Sequence, residues 1–302
     1  MKINIIETNI EKLRDPFVMA ENGTYYMYGT QVTSNWDYGT DWVCYKNISG
    51  RLDGEWVKVG NIANMPGDAI KNLWAPEVHK YNGAYYMFAT YYSSKTNHRG
   101  CAILKSDSPE GPFNEITNGH ITPSDWDSID GTLYVDRDNQ PWMVFVREWT
   151  STDDNIGRMA AAKLSEDLTR VISEPLELFR ADDAPWIKWH ITDGCFMYKT
   201  KDNQLLMLWS NFDAYGYSVG IARSNNGKVD GEWIQDKNVL FSKSTFGQYD
   251  GGHGMIFTDF DGQMYLSIHS PNTPTEDRSE MPVFIPVYEE NGTIKCKKQI
   301  TE

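Results

Sequence analysis

Five segments of the 302-residue chain carry a residue able to hold a proton or a charge, and they recur at similar intervals. Asp15 lies in RDPFVMA, Glu77 in WAPEVHKY, Asp130 in SIDGTLYV, Asp193 in ITDGCFMY and His253 in GGHGMIFT, at steps of 62, 53, 63 and 60 residues. A single Asp in a turn usually serves a nearby backbone amide. Four acids at one phase of a repeat call for another explanation. Gathered at a common point they raise one another's pKa by repulsion and desolvation, a cost that a purely structural protein has little reason to bear. Two carboxyls, one held protonated and one ionised, are the equipment of glycosidic bond hydrolysis.

The elements that must position these residues are hairpins. Each segment is followed by a turn and a second strand, which carries Met27, Met87, Met143 and Met207 in four copies and Leu266 in the fifth. Third-strand candidates follow (DWVCYKN, CAILKS, MAAAKLS, VGIARS, PVFIPVY), and Gly-Glu-Trp or Gly-Pro-Phe corners at 54–56, 111–113 and 231–233 introduce a fourth. Five four-stranded units predict an all-β, five-bladed β-propeller. No linker or composition shift divides the chain, so residues 1–302 read as one catalytic domain. In such a ring every first strand lines the channel and starts at the same face, so Asp15, Glu77, Asp130, Asp193 and His253 are expected to converge. The second strand returns to that face, which adds Glu148, Ser210 and His269. Trp74 is a candidate sugar platform, Glu77 a candidate substrate-binding residue and His269 a candidate partner for a sugar hydroxyl; the methionines are packing between blades.

Composition narrows the partners. The net charge of −14 repels phosphate backbones and anionic lipid surfaces, whereas 11 Trp, 17 Tyr and 12 Phe offer flat faces to neutral sugars. An oligosaccharide is the expected partner, with neither nucleic acid nor membrane. No run of 18 apolar residues is present, and the N-terminal MKINIIETNIEKLRDPF, broken by Glu7, Glu11 and Lys12, does not read as a secretory leader, so a cytoplasmic location is expected. Cys44, Cys101, Cys195 and Cys296 form no CxxC pair and read as buried thiols. No EF-hand loop or HExxH supports a catalytic metal, and the Gly-His to Trp-Asp signature of WD interaction propellers is missing.

RDPF at 14–17, WAPEVH at 74–79, SIDGTLY at 128–134 and GGHGM at 251–255 resemble, in order and at blade spacing, the blade-opening motifs of glycoside hydrolase family 43. The resemblance runs from about residue 12 to about residue 290. It implies a five-bladed propeller that hydrolyses mostly α-L-arabinofuranosides and β-D-xylosides with inversion, with no cofactor required for the chemistry. By the same resemblance Asp15 is the general base, Asp130 orients the acid and tunes its pKa, and His253 holds a structural Ca²⁺ or Na⁺ in the channel. Blade four departs from the pattern, with Asp193-Gly194-Cys195 in place of Glu-Gly-Pro. Asp193 is one methylene shorter than the usual acid, and Glu148 in VREWT is the rival for its role. The expected function is an exo-acting, inverting α-L-arabinofuranosidase. A β-xylosidase or a galactosidase or galactofuranosidase is the enzymatic alternative, and an inactive carbohydrate-binding propeller the alternative of another class.

Overall fold

The computed structural model describes residues 4–33, 40–245 and 248–297. Blade I contains β2 (Leu13–Glu21), β3 (Thr24–Val32), β4 (Thr40–Asn47) and β5 (Val57–Lys58); the two-residue β1 (Ile6–Glu7) precedes it. Blade II contains β6 (Ala69–Tyr81), β7 (Ala84–Ser93), β8 (Arg99–Ser106) and β9 (Asn114–Glu115). Blade III is β10 (Ser128–Val135), β11 (Pro141–Arg147), β12 (Arg158–Lys163) and β13 (Leu176–Arg180), and blade IV is β14 (Asp193–Lys199), β15 (Leu205–Phe212), β16 (Tyr217–Ser224) and β17 (Trp233–Gln235). Blade V is β18 (Gly252–Thr258), β19 (Met264–Ser270) and β20 (Met281–Glu290), with β21 (Thr293–Cys296) on its outer edge. β1 also pairs with β20, Ile6 opposite Phe284, so the start of the chain completes the last blade and closes the ring. The five sheets are the five blades predicted from the repeat.

The second strands read as nearly unbroken apolar runs because each is covered on both faces. In β11 the side chains alternate. Met143 and Phe145 join the core shared with blade II, while Trp142, Val144 and Val146 join the core shared with blade IV. β15 behaves likewise, with Met207 and Trp209 toward blade III and Leu206 and Leu208 toward blade V. Met27, Met87, Met143, Met207 and Leu266 are all fully buried. Asn22-Gly23 and Asn82-Gly83 supply consecutive positive φ angles at two hairpin tips, as tight primed turns require. This packing sets the rotation of every blade and so aims the first strands at the axis.

Candidate active site

Each first strand is broken near its start by a bulge, and the bulge aims side chains into the channel. The ladder register slips between Arg14 and Phe17, Trp74 and Glu77, Ile129 and Thr132, Asp193 and Phe196, and Gly252 and Met255. The first residue inside each slip has positive φ: Asp15 (56°), Ala75 (42°), Asp130 (55°), Gly194 (51°) and His253 (53°). Three chemically active residues thus hold a backbone conformation that non-glycine residues seldom adopt, a feature that clusters at functional sites. Blade IV needs glycine for a second reason: a Cβ on Gly194 would lie 2.9 Å from Cγ of His253.

These angles correct the expected register. Asp15, Asp130 and His253 are equivalent, but Asp193 stands one residue before its bulge and Glu77 two residues past Ala75. Asp193 still faces the cavity. Glu77 is not among the cavity-lining residues; it is buried along β6 with its Oε2 3.1 Å from Nε2 of His79. The expected place of Glu77 in substrate binding therefore finds no contact surface. His269 is likewise absent from the cavity wall and has no exposure. The Asp15 amide donates to its Nδ1 at 3.2 Å, and its Nε2 lies 3.2 Å from Asn272 Oδ1. His269 supports Asp15 rather than reaching for a sugar.

A cavity of about 570 Å³ opens where the bulges meet, lined by Asp15, Trp74, Asp130, Glu148, Asp193 and His253 among others. Nδ1 of His253 lies 3.1 Å from Asp15 Oδ1 and 3.8 Å from Asp130 Oδ2. Burial alone would lower the His253 pKa, but the Asp15 and Asp130 carboxylates push it up to about 10, so the ring is an imidazolium at neutral pH. Burial would raise Asp15, yet His253 overrides it and holds the carboxyl well below its usual range. The Thr30 hydroxyl donates to Asp15 Oδ2 at 2.7 Å, which also favours the charged form. Asp15 is therefore an ionised carboxylate facing the cavity.

The other carboxyls go the opposite way. Burial lifts Asp130 and Asp193, and their mutual repulsion holds the pair above the ordinary range, so together they retain a proton. Tyr217 Oη donates to Asp193 Oδ2 at 3.1 Å, and the Gly194 amide donates to Asp130 Oδ2 at 2.8 Å. Glu148 follows the end of β11. Burial lifts its pKa to about 7 against the pull of the Arg99 guanidinium, whose Nε donates to Oε2, while Asp127 and Asp193 push it further up. Arg99 also lies 5.8 Å above the Trp74 ring, which ties the expected sugar platform to Glu148.

The cation expected at His253 is not matched by its surroundings. Among the described residues no group of three or more His, Cys, Asp or Glu side chains is arranged to hold a metal. Nδ1 of His253 is turned toward the Asp15 and Asp130 carboxylates. Arg99, Arg14, Tyr217 and Thr30, all lining the cavity, were not singled out from the sequence. Arg14 directly precedes Asp15, so the repeat itself could have pointed to it.

A ring of five blades whose first strands bring an ionised carboxylate, a carboxyl pair that retains a proton and a tryptophan to one cavity defines a propeller glycoside hydrolase. Residues 9–285 match the profile of Glycosyl hydrolases family 43, and the chain belongs to that family. Its fold superposes on the crystal structure of an endo-arabinase from Bacteroides thetaiotaomicron with a TM-score of 0.81 at 35% identity, covering 97% of this chain and 99% of the other. A probable arabinan endo-1,5-alpha-L-arabinosidase A from Aspergillus flavus is 25% identical over 269 residues, 85% of this chain and 74% of that protein. An extracellular endo-alpha-(1->5)-L-arabinanase from Bacillus subtilis is 26% identical over 150 residues, where the match spans 46% of this chain and only 45% of the relative.

Proposed function

We propose that this hydrolase cleaves α-1,5-linked L-arabinofuranosyl chains with inversion of configuration, all 302 residues serving as one catalytic domain. The observation that carries the reading is that two carboxyls lining one cavity are driven in opposite directions: His253 holds Asp15 ionised, and burial lifts the Glu148 pKa to about 7. Asp15 takes the proton of the attacking water as general base. Glu148 gives its proton to the leaving oxygen, a task suited to a pKa of about 7. Asp193, with Asp127, adds to the burial that keeps Glu148 protonated.

The names of the relatives support arabinan as substrate, and the 35% identical endo-arabinase inclines the reading to internal cuts. The exo-acting α-L-arabinofuranosidase expected from the sequence would use the same groups and differ in where the cut falls. Linear α-1,5-arabinan tests both. Internal cleavage lowers viscosity well ahead of reducing-sugar release and gives short oligosaccharides first; free arabinose as the sole early product returns the exo mode. Proton NMR of the first-formed anomer should show β, and an α product would end the assignment of Asp15 as base to water. Cleavage of 4-nitrophenyl xyloside with none of arabinan would overturn the substrate.

A further inference from the structure

Four of the five bulges are tied to the preceding blade by the same device. The Ala75 amide donates to Thr30 Oγ1 at 2.7 Å, the Asp130 amide to Thr90 Oγ1 at 3.0 Å, the His253 amide to Ser210 Oγ at 2.9 Å and the Asp15 amide to His269 Nδ1 at 3.2 Å. The acceptors occupy one register position, opposite Arg14, Trp74, Asp193 and Gly252 respectively. The corresponding residue of blade III, opposite Ile129, is Val146. It is fully buried and packed on the side shared with blade IV, and its side chain has no atom to accept a hydrogen bond. The Gly194 amide that would use it donates instead to Asp130 Oδ2 at 2.8 Å.

We propose that Val146 is a positioning residue: by withholding the acceptor that the other four blades supply, it commits the Asp130 carboxylate to the backbone of blade IV. The proposal rests on the functional reading above and deepens it. A buried amide must be satisfied, so the gap at Val146 is filled by the nearest acceptor, and that acceptor is a carboxylate of the active site. Asp130 is thereby fixed at both ends, with its amide on Thr90 and its carboxylate on the residue after Asp193. Blade I shows the alternative. There Thr30 stands between the Ala75 amide and Asp15 Oδ2, accepting from one and donating to the other. Asp15 is left clear of the next blade and pairs with His253.

The test is Val146→Thr, close to isosteric and carrying the hydroxyl found at positions 30 and 90. The threonine should accept from Gly194 and donate to Asp130, drawing the carboxylate back from blade IV by about the length of one hydrogen bond, roughly 2.9 Å. Misplacement on that scale is expected to lower kcat on arabinan oligosaccharides by roughly tenfold or more, with KM changed much less and Tm held or raised. The decisive readout is a double-mutant cycle: Asp130→Asn should cost far less in the Val146→Thr background than in the wild type, because its carboxylate is already displaced. Val146→Ala, which brings no acceptor, should lower Tm yet keep the wild-type pH profile. A crystal structure of Val146→Thr gives a readout independent of substrate, with Oγ1 within hydrogen-bond distance of Gly194 N.

Wild-type kcat in Val146→Thr, fully additive costs in the cycle, or Gly194 still bonded to Asp130 would each overturn the proposal. Failure of both Val146→Thr and Val146→Ser to fold would do the same, since the added hydroxyl is argued to have a waiting donor. If the wild type itself leaves arabinan untouched, the functional reading fails, and the crystal structure still decides the role of Val146.

Discussion

Asp15 and His253 form a buried ion pair, Oδ1 to Nδ1 at 3.1 Å, across the seam between the first blade and the last. The pair explains how a carboxylate with little solvent around it stays ionised, and it makes the imidazolium the counter-charge of the proposed general base. Both partners sit on a bulge at positive φ, so the same backbone feature delivers each to the axis.

Asp15→Asn should therefore do two things at once. Hydrolysis should fall by roughly 10²–10⁴-fold, the usual worth of a general base, because an amide cannot take the proton from water. The His253 pKa, now about 10, should drop, because the largest upward influence on it is gone. Steady-state kinetics and ¹⁵N NMR of the imidazole measure the two effects. A variant with wild-type turnover, or an unmoved His253, contradicts the assignment.

The same pair predicts a pH dependence of stability. His253 is raised from 6.5 to about 10 in the folded protein, so folding takes up a proton between those values. Its contribution is complete below pH 6.5 and is lost as pH rises toward 10. The Tm advantage of the wild type over His253→Gln should narrow steadily across that window, as followed by thermal melts. His269 works in the opposite sense. Burial and Arg14 lower it from 6.5 to about 3, so its contribution is complete above pH 6.5 and fades as pH falls.

Glu148 and Asp193 are separated by leaving group. A 2,4-dinitrophenyl arabinofuranoside needs little protonation, so Glu148→Gln should spare it while crippling the natural linkage and removing the basic limb of the pH–rate profile. Asp193→Asn should impair both substrates alike. The reverse pattern returns the acid to Asp193.

Arg99 offers a finer check. Its guanidinium pulls the Glu148 pKa down against burial. Arg99→Met should move the basic limb for arabinotriose to higher pH, since the group that must stay protonated then holds its proton longer. A limb that stays in place would separate Arg99 from the acid.

Much of this site was legible because hairpin repeats carry phase. Asp15, Asp130 and His253 share it in sequence and in space. Blade IV misled by one residue, because IDG at 129–131 and TDG at 192–194 look alike, yet the bulge falls on the Asp of the first and the Gly of the second. Blade II misled by two. The 13-residue β6 contains two further register slips before its last one, and the bulge residue is Ala75, which has no functional group to mark it. Strand spacing shows that a turn recurs, whereas the exact residue that slips depends on partners in the preceding blade such as Thr90 and Ser210. Arg99 was invisible for a similar reason: it meets Glu148 from 49 positions away, between neighbouring blades, with no shared motif.

The closure of blade V by β1 has a kinetic consequence. Hairpins within a blade are local and form quickly, whereas the Ile6–Phe284 pairing must bring together residues nearly the full chain apart, the slowest kind of contact to find. The hydrogen bond from Asp15 to His269 spans 254 positions and crosses that same seam. Refolding followed by far-ultraviolet circular dichroism should therefore run ahead of recovered hydrolysis, with the lag set by the final seam; simultaneous recovery would mean that the ring closes before its blades are complete. A chain that has built five sheets without joining the first to the last is spectroscopically close to native and catalytically silent.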